Sequence, residues 1–147
     1  MPVIEIRGNL LESGANTIFH GCNCFWTWGA GVAKAIKERY PEAYKADVHG
    51  SKHGDVEKLG TFTKYFDQKD QRQIFNLYTQ YNFGTHRRQL DYEALAKSLE
   101  VLKAQLKPDD ICAGPRIGCG LAGGDWSIVR SFIEYTFPDR DIQIYYL

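Results

Sequence analysis

Two glycine-rich segments, Trp28-Gly29-Ala30-Gly31 and Gly118-Cys119-Gly120-Leu121-Ala122-Gly123-Gly124, each stand between a short apolar run and a stretch with helical periodicity. A strand that turns through glycine into a helix is a strong constraint. Glycine admits positive φ and close approach of the backbone to a bound group, and the helix start adds unpaired N–H groups and the positive end of a dipole. Either loop alone is explained by a tight turn. Two of them, placed on the same rim of a sheet, predict the halves of a phosphate cradle and a ligand with a diphosphate at its centre.

The remainder of the chain alternates strand and helix signals. Strands are predicted at Val3–Arg7, Thr17–His20, Gly60–Phe66, Gln73–Tyr78, Ile111–Pro115 and Ile142–Leu147, from alternation or short apolar runs bounded by turn residues. Helices are predicted at Val32–Tyr40, ended by Pro41, then from Pro41 towards Val48, and over a long stretch capped by Asp91 and closed by Pro108. The apolar face of the long helix is Leu95, Leu99, Leu102 and Leu106. The last helix, Asp125–Phe137, faces inward through Trp126, Val129 and Ile133, while His49–Lys58 and Asp67–Arg72 read as loop and turn. Helices between strands imply a mostly parallel sheet covered on both faces, a three-layer α/β/α domain of class α/β over residues 1–147.

Formal charge is zero, with 18 basic and 18 acidic side chains, so bulk electrostatics recommend neither nucleic acid nor an anionic membrane surface as partner. No apolar run has the length of a membrane span or the form of a signal peptide. A cytoplasmic protein and a monomer are expected. The four cysteines, Cys22, Cys24, Cys112 and Cys119, fit reduced thiols there better than a disulfide framework.

Several local patterns carry less. Gly118, Gly120 and Gly123 have dinucleotide-fingerprint spacing, with Asp139 or Asp141 downstream, but that fingerprint follows a first strand and needs several more strand–helix units than remain here. His20, Cys22 and Cys24 make an incomplete ligand set, so no metal or other cofactor is expected. Cys119 reads as a packing residue. His86-Arg87-Arg88, adjoined by Asp91 and Glu93, reads as a solvated loop.

The runs Gly8-Asn9-Leu10-Leu11, Ile18-Phe19-His20-Gly21-Cys22-Asn23-Cys24, Trp28-Gly29-Ala30-Gly31-Val32-Ala33 and Pro115-Arg116-Ile117-Gly118-Cys119-Gly120-Leu121, followed by Asp125-Trp126, resemble a macrodomain across essentially the whole chain. The resemblance is to the branch holding ADP-ribose 1″-phosphate phosphatases and terminal ADP-ribose glycohydrolases. It implies a mixed, mostly parallel sheet and a site for ADP-ribose or ADP-ribose 1″-phosphate, with an ADP-ribosylated protein as a further partner.

On that resemblance Asn9 stands where the family places an Asp against adenine, Leu10 offers its backbone N–H, and Tyr145 supplies the aromatic that closes over the base, unless it is only a strand-favouring residue. The diphosphate falls to Gly29, Ala30, Gly31 and Val32 on one side and to Ile117, Gly118, Cys119, Gly120 and Leu121 on the other. Asn23 aligns the distal ribose. His20 and Asp125 are the candidates for activating water, against the alternatives of a structural histidine and a helix cap. The glycohydrolases' Lys and Asp positions hold Gln80 and Ala122, which can neither form a lysyl adduct nor serve it as acid and base. A phosphatase is therefore expected, with a non-catalytic reader or a glycohydrolase rebuilt on other residues as alternatives.

Overall fold

The computed structural model describes residues 3–147. Six strands, β1 (Val3–Arg7), β2 (Thr17–Cys22), β3 (Phe62–Asp67), β4 (Arg72–Tyr78), β5 (Cys112–Pro115) and β6 (Ile142–Tyr146), form one sheet in the order β1-β6-β5-β2-β4-β3. All neighbours run parallel except β3, which pairs antiparallel to β4 through the Asp67–Arg72 turn. Successive side chains of a strand point to opposite faces, and the central strands are apolar on both. Ile18 and Ile74 pack towards helices α1 (Gly31–Arg39) and α2 (Pro41–Gly50), while Phe19 and Phe75 pack towards α3 (Tyr92–Gln105) and α4 (Trp126–Thr136). The expected three-layer α/β/α arrangement is the observed one.

Local chemistry sets the element ends. Pro41 opens α2, and Asp91 accepts from the amide of Ala94 at 3.1 Å to cap α3, as their sequence positions predict. Leu106 lies at the C-cap of α3 rather than on its buried face, and β2 runs on to Cys22, two residues beyond the apolar run. The segment His49–Lys58 is more ordered than a loop: α2 continues to Gly50 and a 3-10 turn spans Val56–Lys58. Strand β3 begins only at Phe62, since Gly60 sits at φ 83° with its amide bonded to the carbonyl of Tyr78.

At the end of its pairing with β2, β5 leaves almost no room beside the Phe19 ring. A Cβ on Gly114 would stand 2.3 Å from the ring of Phe19, which is fully buried. Gly114→Ala is therefore expected to lower unfolding free energy by about 1–3 kcal/mol in urea titrations, the usual cost of overpacking a close-packed core. An unchanged midpoint would show that the Phe19 ring has room to move.

Candidate functional site

Beyond the carboxyl ends of the central strands lies a cavity of about 610 Å³, in the size range of small-molecule sites and at the place where open α/β sheets bind ligands. Its walls come from the loop after β2, the first turn of α1, the loop after β5 and the crown of the β4–α3 connection at Phe83–Thr85.

The first wall is held from below. Trp28 is 3% exposed and donates from Nε1 to Oδ2 of Asp47, a fully buried carboxylate on α2, at 2.9 Å. The other oxygen of Asp47 accepts from the Tyr78 hydroxyl at 2.6 Å and lies 2.9 Å from the Ser51 hydroxyl. Lys58, also buried, places Nζ 3.7 Å from Asp47 Oδ1 and donates to the carbonyl of Cys24 at 3.3 Å. A buried carboxylate is tolerated when it is paired and hydrogen-bonded in this way. Trp26 adopts φ 59°, a region few non-glycine residues enter. It is secured by Tyr44, whose hydroxyl donates to its carbonyl, and by Ser51, which accepts from its indole.

Asn23 staples the same loop. Its Oδ1 accepts from the amides of Phe25 and Thr27 at 2.8 and 3.3 Å, and its Nδ2 donates to the Thr27 carbonyl at 2.8 Å. One amide hydrogen remains for a ligand. The loop then enters α1 through Ala30, which caps the helix without a side chain, and Gly31 at φ 61°. The first helical bond runs from the amide of Lys34 to the carbonyl of Ala30, so the amides of Gly31, Val32 and Ala33 are left for an anion. A Cβ at Gly29 or Gly31 would meet no atom within 4 Å.

The second loop differs from expectation. Asp125 accepts from the amide and hydroxyl of Ser127 at 2.9 and 2.7 Å, so the start of α4 is sealed by its own cap and offers no open helix end to an anion. The donors of this half are loop amides. Turns close through Gly124 N to Gly118 O at 2.7 Å and Gly123 N to Gly120 O at 3.1 Å, and the amides of Gly120, Leu121 and Ala122 find no acceptor among the described residues. Ile117 and Gly118 line the cavity floor, and the Cys119 thiol turns away to the Ile117 carbonyl at 3.4 Å, raised to about 11 mainly by burial.

Of the two candidates for activating water, His20 lines the cavity and Asp125 does not. Asp125 stands outside the cavity wall, and the hydrogen bonds from Ser127 hold its carboxyl below the usual range. His20 is 1% exposed. Its Nε2 meets Asn76 Oδ1 at 2.8 Å, and the Asn76 amide nitrogen is committed to Ala43 O and Thr63 Oγ1, so Nε2 carries the proton. Burial lowers His20 to about 4, so the ring is neutral, and it packs edge-on against Trp28 at 4.7 Å.

Asn9, Leu10 and Tyr145 lie on the same rim but outside the cavity wall. Asn9 caps a 3-10 turn by accepting from the Leu11 amide at 3.0 Å, Leu10 is buried, and Tyr145 packs beside Gly8. Gln80 and Ala122 line the cavity as neutral groups. Its permanently charged lining residue is Arg116, bonded to Glu5 at 2.8 Å and stacked 4.3 Å from the centre of the Tyr146 ring. The guanidinium of Arg116 in turn holds the Glu5 carboxyl below its ordinary range. No group of three or more potential metal-ligating side chains gathers among the described residues. The Cys22 thiol lies 3.7 Å from His20 Nε2, while the Cys24 thiol donates to the Gln80 carbonyl.

Sequence reasoning missed Asp47, Lys58, Arg116 with Glu5, and the crown at Phe83–Thr85. Only Asp47 carried a signal, as an acid on the inward face of a short amphipathic helix.

A strand–glycine–helix cradle on this sheet order defines a class, and comparison with known proteins agrees. The Macro domain family model matches residues 19–133, and the chain belongs to that family. It is 32% identical over 149 residues to human ADP-ribose glycohydrolase OARD1, covering 97% of this chain and 88% of that protein. An Aspergillus oryzae ADP-ribose 1″-phosphate phosphatase is 50% identical over 42 residues, a shorter match covering 27% of this chain and 20% of that protein. Thermosipho africanus DarTG, solved in complex with ADP-ribose, shares the fold with a TM-score of 0.76 at 20% identity, covering 94% of this chain and 39% of that one.

The burial of His20 sets a pH dependence. Its folded value, about 4, lies below the ordinary 6.5, so the unfolded chain binds the extra proton between those limits and stability falls as pH drops from about 6.5 to about 4. The full shift corresponds to roughly 3 kcal/mol. His20→Gln, which keeps a donor for Asn76, is expected to flatten this part of the stability profile in urea melts at stepped pH. An equally steep profile in the variant would assign the acid sensitivity elsewhere.

Proposed function

We propose that this macrodomain binds ADP-ribose and hydrolyses ADP-ribose 1″-phosphate to ADP-ribose and inorganic phosphate. The observation that carries the reading is the pair of unpaired amide sets on one cavity, Gly31–Ala33 and Gly120–Ala122, two clusters of donors of the kind that hold phosphate oxygens. Relatives named for hydrolysis at ADP-ribose support a hydrolase.

The side chains favour the phosphate ester over the glycosidic bond. Phosphoryl transfer to water asks the protein for alignment and charge stabilisation rather than a nucleophile of its own, and preorganised N–H donors supply both. Water forms the new P–O bond as the bond to the 1″ oxygen breaks, and the proton lost by water ends on that departing oxygen. Asn23, with its free amide hydrogen, and the Gln80 carboxamide hold the distal end. A covalent glycosyl route needs a nucleophile at Gln80 or an acid at Ala122, and neither residue provides one. The sequestration of His20 and Asp125 favours a second reading, an ADP-ribose reader that retains the cradle without turnover.

Calorimetry is expected to detect ADP-ribose binding without added metal, with AMP bound much more weakly because it cannot span both amide sets. Gly120 has open space where a Cβ would stand, so Gly120→Val is expected to keep its melting temperature while weakening ADP-ribose by at least tenfold, about 1.4 kcal/mol. Incubation with ADP-ribose 1″-phosphate is expected to release phosphate, and His20→Gln and Asp125→Ala to keep that release within about tenfold of wild type, since Asp125 stands outside the cavity on Ser127 and the His20 ring, though it lines the cavity, keeps its proton on Asn76. Binding without phosphate release would establish the reader instead.

A further inference from the structure

Residues 79–91 form an arch between β4 and α3. Its feet are joined by an antiparallel bridge between Gln80 and Leu90 and by the amide of Asp91, which donates to the Thr79 carbonyl at 2.9 Å. The crown, at Phe83–Thr85, is a wall of the cavity. The far foot goes elsewhere: the amides of Gln89 and Leu90 both donate to the carbonyl of Ala122, at 2.8 and 3.2 Å.

Leu90 lies beneath the second glycine loop. It is 2% exposed and contributes nothing to the cavity lining. A Cβ on Gly118 would stand 2.6 Å from one of its methyl carbons, and a Cβ on Gly124 would stand 2.4 Å from the other. Arg88 covers Gly123 in the same manner, with its Cα 3.3 Å from where a Cβ would be. The three glycines that fix the curvature of the loop thus rest on residues 88–90, while Gly120, between them, faces open space.

We propose that Leu90 is a positioning residue for the diphosphate half-site: its side chain and the paired amides at 89–90 set the curvature of residues 118–124, and through it the aim of the Gly120–Ala122 amides. The inference rests on the reading that the cavity takes ADP-ribose. Close-packed contacts hold one arrangement rather than deforming smoothly, so shortening Leu90 removes the floor of the loop and lets the amides lose their common direction. The same foot carries the cavity crown, which makes the arch and the second loop one body.

Leu90→Ala, or Leu90→Val should the first variant fail to fold, is expected to weaken ADP-ribose about tenfold, within the range for residues coupled to a site they do not touch. The measurement is made at a temperature where circular dichroism is native. AMP is expected to change much less, and Leu90→Met to bind as wild type. In hydrogen exchange on the free protein, the bonded amides of Gly123 and Gly124 should lose protection while those of α3 keep theirs, a pattern that a purely structural role, loosening the core uniformly, would not give. Combining Gly118→Ala with Leu90→Ala puts a methyl group into the vacated space, so the double variant should bind better than the sum of the single losses predicts. ADP-ribose affinity within twofold of wild type in Leu90→Ala, with Gly124 still protected, would overturn the proposal. Failure of the wild-type protein to bind ADP-ribose would overturn the reading beneath it, and exchange at Gly124 would then decide the role of Leu90 alone.

Discussion

The carboxylate of Asp47 is the point on which the ligand-facing side of this domain depends. Fully buried on α2, it receives the Trp28 indole and the Tyr78 hydroxyl, and lies beside Lys58 and Ser51. Each partner belongs to a different element: Trp28 to the loop that enters α1, Tyr78 to the end of β4, and Lys58 to the turn before β3. A charge withdrawn from water persists only where such partners converge, and losing one partner leaves the others with an uncompensated desolvation cost of about 3–5 kcal/mol for a broken buried ion pair. The loop after β2 is consequently fixed before any ligand arrives, including the left-handed Trp26 and the three free amides at the start of α1.

The unpaired donors of the resulting site are mostly backbone amides. Amides from two loops face one cavity, while the side chains able to move protons are occupied elsewhere: His20 with Asn76, and Asp125 with Ser127. Such a surface has no titrating group of its own to gain or lose near neutral pH, and it recognises charge spread over several oxygens rather than a single ion. It suits a diphosphate, whose charge is fixed, and a reaction in which the charge to be stabilised lies on phosphate.

Much of this was legible in the amino-acid sequence, and the residues show why. Asp91, Pro41 and the first glycine segment act through the backbone within a few residues of themselves, so their effects follow from local spacing. Gly120 and Gly124 looked alike in sequence, yet one leaves room for a ligand and the other is demanded by Leu90 thirty-four positions earlier. Lys58 was hidden for the same reason: the mixed-charge stretch His49–Lys58 reads as solvated, and only its approach to Asp47 on α2 takes the ammonium out of water. His20 was legible as a residue at the site but not in its role, because its neutrality comes from burial, which outweighs the opposing pull of the hydrogen bond to Asn76 on the neighbouring strand.

The central claim is that two separated sets of backbone amides hold one diphosphate. Amide nuclear magnetic resonance during titration with ADP-ribose tests it most directly. The account predicts that Gly31, Val32 and Ala33 shift together with Gly120, Leu121 and Ala122 along a single saturating isotherm, displaced downfield as they donate to phosphate oxygens. Shifts confined to one of the two sets, or shifts elsewhere on the sheet with both sets still, would contradict it.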